Sequence, residues 1–133
     1  MIDAPSPKRI LVVDDEAHIV HVVSMKLRNA GYEVISASDG EEAFDAAMAQ
    51  LPDMVITDLQ MPVMSGLDLC AKLKSTPATA LIPALMLTAR GFNLNSADLA
   101  RTNIRGVLSK PFSPREVLEK VTAVLDESGN RAA

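Results

Sequence analysis

The chain has 133 residues, a formal net charge of −4 and 48% hydrophobic residues, which suits one compact domain with a single apolar core. This mildly acidic balance disfavours direct nucleic-acid binding, which normally uses a basic surface. The single cysteine, Cys70, excludes an intrachain disulfide and a cysteine-based zinc cluster. No apolar run approaches the roughly 20 residues that span a bilayer, and no signal-peptide pattern opens the chain. The sequence therefore predicts a cytoplasmic protein without membrane contact.

Short apolar runs alternate with segments of helical spacing along the chain. Residues 1–8 contain two prolines and no pattern, so they are predicted to form a flexible arm before a domain at 9–127. The apolar runs predict strands at 10–13, 33–37, 54–57, 84–87 and 107–109. The spacing of apolar residues and the capping signals predict helices at 17–29, 40–50, 67–74, 96–102 and from 114 onward.

The last helix has the clearest start signal in the chain. Ser113 is a typical N-cap, Pro114 suits the first helical position, and Glu116 completes a capping box. Residues 128–133 are predicted to form a frayed C-terminal tail. The alternation of strands and helices predicts an α/β fold, a doubly wound, five-stranded parallel sheet of flavodoxin-like order 2-1-3-4-5.

Reactive side chains follow the ends of four predicted strands. Asp14 and Asp15 follow the first strand, Asp58 the third, Thr88 the fourth and Lys110 the fifth. In this topology, ligands bind at the carboxyl ends of the strands, where the strand order reverses. Neighbouring carboxylates repel one another, and a hard cation such as Mg²⁺ relieves that repulsion. The pattern predicts a metal-assisted crevice in which one carboxylate attacks a phosphoryl group opposite a lysine.

Over residues 8–127 the sequence resembles the receiver domains of two-component response regulators. The matching segments are ILVVDDE at 10–16, VITDLQMPVMSGLDL at 55–69, MLTA at 86–89 and SKPFSPREVL at 109–118. The resemblance implies a signalling switch rather than an enzyme that acts on other molecules. It also implies a histidine kinase or phosphotransfer protein as phosphodonor and an output partner that the sequence does not identify. Phosphorylation-dependent dimerisation is one outcome that the resemblance allows.

The resemblance assigns roles to individual acidic residues. Asp58 is expected to be the phosphoacceptor, and Asp14, Asp15, Asp58 and the backbone carbonyl of Gln60 are expected to hold Mg²⁺, with Mn²⁺ as a substitute. Asp15 is expected to bind the metal directly and Asp14 through water. The side chains of Gln60 and Arg90 stand where the family tunes the lifetime of the aspartyl phosphate.

Further roles fall on residues after the fourth and fifth strands. Thr88, Ala89 and Lys110 are expected to contact the phosphoryl group, and the Lys110–Pro111 bond is expected to be cis. One residue departs from the family pattern, because a Tyr or Phe usually stands three places before the lysine and Val107 occupies that place here. Without that aromatic ring, the phosphorylation signal is expected to be smaller or to follow a different route.

Three other functions use the same fold. A metal-dependent phosphohydrolase with an aspartyl nucleophile usually needs an acid at the position that Gln60 occupies. A flavin or nucleotide binder needs a loop of glycines or hydroxyls after the first strand, and this loop is acidic. A receiver-shaped interaction module that is never phosphorylated is disfavoured because every acceptor residue is present. Each motif has an ordinary structural interpretation alone, so the prediction rests on their joint placement.

Overall fold

Five strands and five helices alternate along the residues that the computed structural model describes, 7–88 and 95–132, with side chains as far as Glu127. The strands are β1 (Arg9–Val13), β2 (Glu33–Ala37), β3 (Met54–Asp58), β4 (Ala84–Thr88) and β5 (Ile104–Ser109). The helices are α1 (Ala17–Asn29), α2 (Gly40–Gln50), α3 (Gly66–Ser75), α4 (Ser96–Ala100) and α5 (Pro114–Ala132).

The strands form one sheet in the order β2-β1-β3-β4-β5, and every neighbouring pair is parallel. This confirms the predicted doubly wound, flavodoxin-like α/β fold. The order reverses at β1, because the chain proceeds to β2 on one side and returns to β3 on the other. The carboxyl ends of β1 and β3 therefore border the crevice where this class of sheet binds ligands.

Helices cover both faces of the sheet, which explains why β1, β3 and β4 are almost continuously apolar. Alternate side chains of each strand point to opposite faces. On one face, β1 residues Leu11 and Val13 pack with residues of α2 and α3 such as Ala43 and Leu69. On the other face, the core joins residues of α1 and α5, including Val23, Leu27, Val117 and Val121.

Two elements differ from their predicted bounds by more than one residue. β5 begins at Ile104 rather than at 107. Arg105 and Gly106 interrupt the apolar run, but Ile104 and Gly106 pair with β4, and Arg105 falls at an irregularity in the register between them. Helix α4 ends at Ala100 rather than at 102. The Thr102 hydroxyl donates a 2.6 Å hydrogen bond to the Asp98 carbonyl, which satisfies one of the free carbonyls at this end of the helix.

The ends of the chain were predicted to be irregular, and this is wrong for residues 128–132. Helix α5 continues to Ala132. The residues after Pro114 include no further proline, and a glycine such as Gly129 costs a helix only about 1 kcal/mol. Of the predicted arm, Pro7 and Lys8 lack regular structure, and residues 1–6 lie outside the described residues.

Within the described ranges, no helix combines the length and apolar character needed to cross a membrane.

Candidate functional site

The candidate site lies at the carboxyl end of the sheet, where β3 ends in Asp58. The backbone holds this end in place, because the Leu59 N–H donates to the Leu87 carbonyl at 2.9 Å. The Thr57 hydroxyl donates to the Asp58 carbonyl at 2.9 Å. A Cβ atom at Gly66 would clash with that same carbonyl. The start of α3 therefore approaches the candidate phosphoacceptor more closely than any residue but glycine allows.

Lys110 brings a positive charge to three carboxylates. Its ammonium Nζ lies 3.2 Å from Asp58 Oδ1, 3.6 Å from Asp14 Oδ2 and 3.6 Å from Glu16 Oε1. The Lys110 N–H donates to the Thr88 carbonyl at 2.8 Å, which ties the end of β5 to the end of β4. The Lys110–Pro111 peptide bond is cis, the expected isomer.

Burial makes the charged form of two of these carboxylates costly. Asp14 is 1% exposed, and burial raises its pKa to about 6, although the Glu16 N–H, 2.9 Å from Oδ1, acts in the opposite direction. Burial also raises the pKa of Asp58, against the opposing charge of Lys110. Burial by itself lowers the pKa of Lys110, but the charges of Asp14, Asp58 and Glu16 raise it further than burial lowers it.

The acidic cluster fits a hard divalent cation. Asp14, Asp15 and Glu16 each place a carboxylate oxygen within 4.8 Å of the others, and carboxylate oxygens are the ligands that Mg²⁺ prefers. Asp14 Oδ2 is buried and has no hydrogen-bond partner among the described residues. The Lys110 ammonium, 3.6 Å from this oxygen, is beyond hydrogen-bond distance, and a metal ion held by the three carboxylates would satisfy the oxygen directly. Gln60 lies exposed in the loop that follows β3.

The loop between β3 and α3 carries an unusual backbone conformation. Val63 has φ of +70° and is 99% exposed, a conformation that is rare for a β-branched residue. The Met64 N–H donates to the Pro62 carbonyl at 2.8 Å, and the Gly66 N–H closes the loop onto the Leu59 carbonyl at 2.8 Å. The loop that contains the expected metal ligand Gln60 is thus tightly closed and strained at its tip.

The remaining predicted residues belong to β4, β5 and the segment between them. Thr88 is fully buried, and its hydroxyl has no hydrogen-bond partner in the described part of the chain. Val107 is half-buried, pairs with Met86 of β4 and packs against the core. Ala89 and Arg90 lie outside the described residues.

Glu16, to which the sequence pattern assigns no role, contacts the Lys110 ammonium at 3.6 Å. The run Asp14-Asp15-Glu16 was the only signal that could have indicated it. A run of acids after a strand is more often explained by a helix N-terminus, where negative charge is favourable.

Comparisons with known proteins identify the family of the chain. The family model of the response regulator receiver domain matches residues 10–122. The chain is 40% identical to the alkaline phosphatase synthesis transcriptional regulatory protein PhoP of Bacillus subtilis over 91% of this chain and 50% of that protein. It is 37% identical to the phosphate regulon transcriptional regulatory protein PhoB of Pseudomonas aeruginosa over 92% of this chain and 53% of that protein. The chain therefore spans about half the length of these curated relatives.

Solved structures show the same likeness. The chemotaxis response regulator CheY4 of Vibrio cholerae superposes with a TM-score of 0.82 and 34% identity, over 89% of this chain and 98% of that chain. A CheY-like receiver domain from Methanospirillum hungatei superposes with a TM-score of 0.86 and 28% identity, over 95% of this chain and 99% of that chain. With the family model covering most of the domain, the chain belongs to the response regulator receiver family of two-component signalling.

Proposed function

We propose that Asp58 accepts a phosphoryl group from a histidine kinase or phosphotransfer protein and that this modification switches the binding of an output partner. The observation that carries the proposal is the position of Lys110, whose ammonium lies within 4 Å of the Asp58, Asp14 and Glu16 carboxylates. Phosphoryl transfer depends mainly on positioning and on stabilising charge. A nucleophilic carboxylate, an adjacent cation and a cluster of metal-binding oxygens supply both.

In the proposed reaction, an oxygen of the Asp58 carboxylate attacks phosphorus and forms a P–O bond. The bond from phosphorus to the donor nitrogen breaks, and its electron pair remains on the imidazole of the donor histidine. Lys110 supplies positive charge beside the phosphoryl oxygens. The buried Thr88 hydroxyl, which lacks a partner among the described side chains, and the backbone of Ala89 are proposed to contact those oxygens as well.

Four groups are proposed to hold the metal: the carboxylates of Asp14, Asp15 and Asp58 and the backbone carbonyl of Gln60. When bound, Mg²⁺ supplies positive charge to the phosphoryl oxygens without taking part in proton transfer. Mn²⁺ is the proposed substitute, because carboxylate and carbonyl oxygens also suit that ion. Gln60 and Arg90 are proposed to set the lifetime of the aspartyl phosphate.

Phosphorylation adds about −1.5 to −2 units of charge, and we propose that a neighbouring surface responds to it without the usual aromatic ring at position 107. The output partner is not identified, and dimerisation on phosphorylation is one route that we propose to test. Self-phosphorylation and self-dephosphorylation are the only reactions proposed for the chain. Its cytoplasmic location stays a prediction.

The test is incubation with acetyl phosphate and Mg²⁺ followed by intact-mass spectrometry. The native chain should gain one phosphoryl group, which EDTA prevents. Asp58→Asn should gain none, whereas Asp45→Asn, at an exposed position on α2, should behave as the native chain does. Equal labelling of the Asp58→Asn variant would refute the assignment of the acceptor.

A further inference from the structure

A cleft of about 370 Å³ borders the acidic cluster, with Asp14 and Asp15 among its lining residues. Helix α1 contributes Val20, His21, Ser24 and Arg28 to its walls, and the end of β2 contributes Ser36. The proposed phosphoacceptor does not line this cleft. Its volume falls within the range of cavities that bind small molecules.

Two unsatisfied oxygens belong to residues that line this cleft. Over the described ranges, only Asp14 Oδ2, Ser24 Oγ and Thr88 Oγ1 are buried side-chain atoms without a hydrogen-bond partner. Asp14 and Ser24 both line the cleft, but Asp14 Oδ2 already faces the Lys110 ammonium at 3.6 Å. The unpaired oxygen that remains for the cleft is therefore that of Ser24, which is only 3% exposed. A buried hydroxyl left without a partner costs free energy. A ligand group or a water that reaches Ser24 would recover that cost.

The charged residues that line the cleft are of both signs: Asp14, Asp15 and Glu42 are acidic, and Arg28 is basic. Arg28 makes no ion pair with any described residue, and His21 lies between it and the acidic cluster along α1. A guanidinium offers several donors in a planar fork that matches the oxygens of a carboxylate or a phosphate. The small side chains of Ala17, Ser24 and Ser36 leave the space between Arg28 and the acidic cluster open.

We propose that this cleft binds a small hydroxylated organic anion, either a carboxylate or a phosphate monoester. Its anionic oxygens would pair with Arg28, and its hydroxyl group would exchange hydrogen bonds with Ser24. The site is distinct from the phosphoacceptor, so the proposal does not depend on phosphorylation. Because Asp14 and Asp15 border both sites, an occupant would also change the affinity for Mg²⁺, and Mg²⁺ would change its affinity by the same factor.

The test is an amide chemical-shift titration of the metal-free protein with three matched probes: glycerate, glycerol 3-phosphate and glycerol. At least one anion should produce saturable shifts over 20–28 and 36–38 at concentrations up to about 10 mM. Neutral glycerol should produce none. The comparison of glycerate with glycerol 3-phosphate distinguishes a carboxylate ligand from a phosphate ligand.

Three variants locate the binding. Arg28→Ala should lower the affinity for the anion by at least about tenfold, because a charge-assisted pair is lost. Arg28 also lines a second, shallower cavity, but Ser24 lines only the first, so weaker binding by Ser24→Ala assigns the site. Ser24→Ala should keep or raise the melting temperature, since it removes a buried hydroxyl that has no hydrogen-bond partner. Lys120→Ala, an exposed cation on α5, is the matched control. Absence of saturable shifts with either anion, or binding that Arg28→Ala and Ser24→Ala leave unchanged, would overturn the proposal.

Discussion

The Lys110 ammonium lies 3.2 Å from the Asp58 carboxylate. Lys110 follows β5 and Asp58 ends β3, so this contact joins strands that are not neighbours in the sheet. An opposite charge at this range favours the ionised form of each group. It therefore opposes the cost of burying the Asp58 carboxylate and places a cation beside the proposed nucleophile.

Removal of the lysine charge should slow acceptance of the phosphoryl group. In Lys110→Met, we expect the rate of labelling by acetyl phosphate and Mg²⁺ to fall by roughly 10²–10³-fold, because a preorganised electrostatic contact to the reacting oxygens is lost. Samples that are quenched at successive times and analysed by intact-mass spectrometry give the labelling rate. The Lys120→Met variant serves as control and should react at the native rate. A Lys110→Met rate within a factor of about two of the native rate would contradict the proposed role.

The buried Asp14 carboxylate should make the metal-free protein less stable as pH rises. Its folded pKa is raised to about 6 from 3.8, so the folded state holds this proton more tightly than the unfolded state. The associated stability is present below about pH 4 and is lost as pH rises through about 6. At one pKa unit per 1.36 kcal/mol, the loss is roughly 2–3 kcal/mol.

Asp14→Asn should remove that pH dependence. We expect this variant to be roughly 2 kcal/mol more stable than the native chain at pH 7 in EDTA, and to gain no stability from Mg²⁺. Urea denaturation at pH 4 and pH 7, with and without Mg²⁺, measures both effects. Asp45→Asn, which removes an exposed carboxylate, should match the native chain. An Asp14→Asn protein that is less stable than native at pH 7 would exclude this account.

The close approach of α3 to β3 should make Gly66 intolerant of any side chain. In Gly66→Ala, the added Cβ meets the Asp58 carbonyl, and backbone atoms move less readily than a side chain. We expect a loss of about 2–3 kcal/mol in the free energy of unfolding, together with slower labelling of Asp58. Gly106→Ala is the matched control, since its Cβ would meet only the Leu85 side chain at 3.2 Å. Equal losses in the two variants would argue against the clash at Gly66.

Replacement of Val63 by glycine, at the strained tip of the loop, should stabilise the protein, whereas Gly66→Ala should destabilise it. Val63→Gly removes the penalty of a side chain at φ of +70°, typically about 1–3 kcal/mol. Part of the gain is offset by the greater freedom of glycine in the unfolded chain. We expect a net stabilisation of about 1 kcal/mol in urea denaturation. Val63→Ala keeps a Cβ atom and should gain less, so an alanine variant as stable as the glycine variant would rule out backbone strain as the cause.

The sequence by itself determined the sheet and the placement of the candidate site. The apolar run before Asp14 is fully buried in β1, because a strand covered on both faces must be apolar along its whole length. The predicted capping box of α5 is present, with Glu116 N–H donating to Ser113 Oγ at 3.2 Å and Ser113 N–H donating to Glu116 Oε1 at 3.3 Å. Such features depend on neighbours in the chain, so local pattern was sufficient to predict them.

Only the tertiary structure decided which side chains share an environment. The contact of Glu16 with Lys110, the burial of Asp14 and the unsatisfied hydroxyl of Ser24 each involve elements that are distant in sequence. The early start of β5 likewise depends on pairing with β4, which overrides the interruption by Arg105 and Gly106. Burial and electrostatic contact act through space, and a one-dimensional pattern records neither the distance between two charges nor the solvent that folding removes.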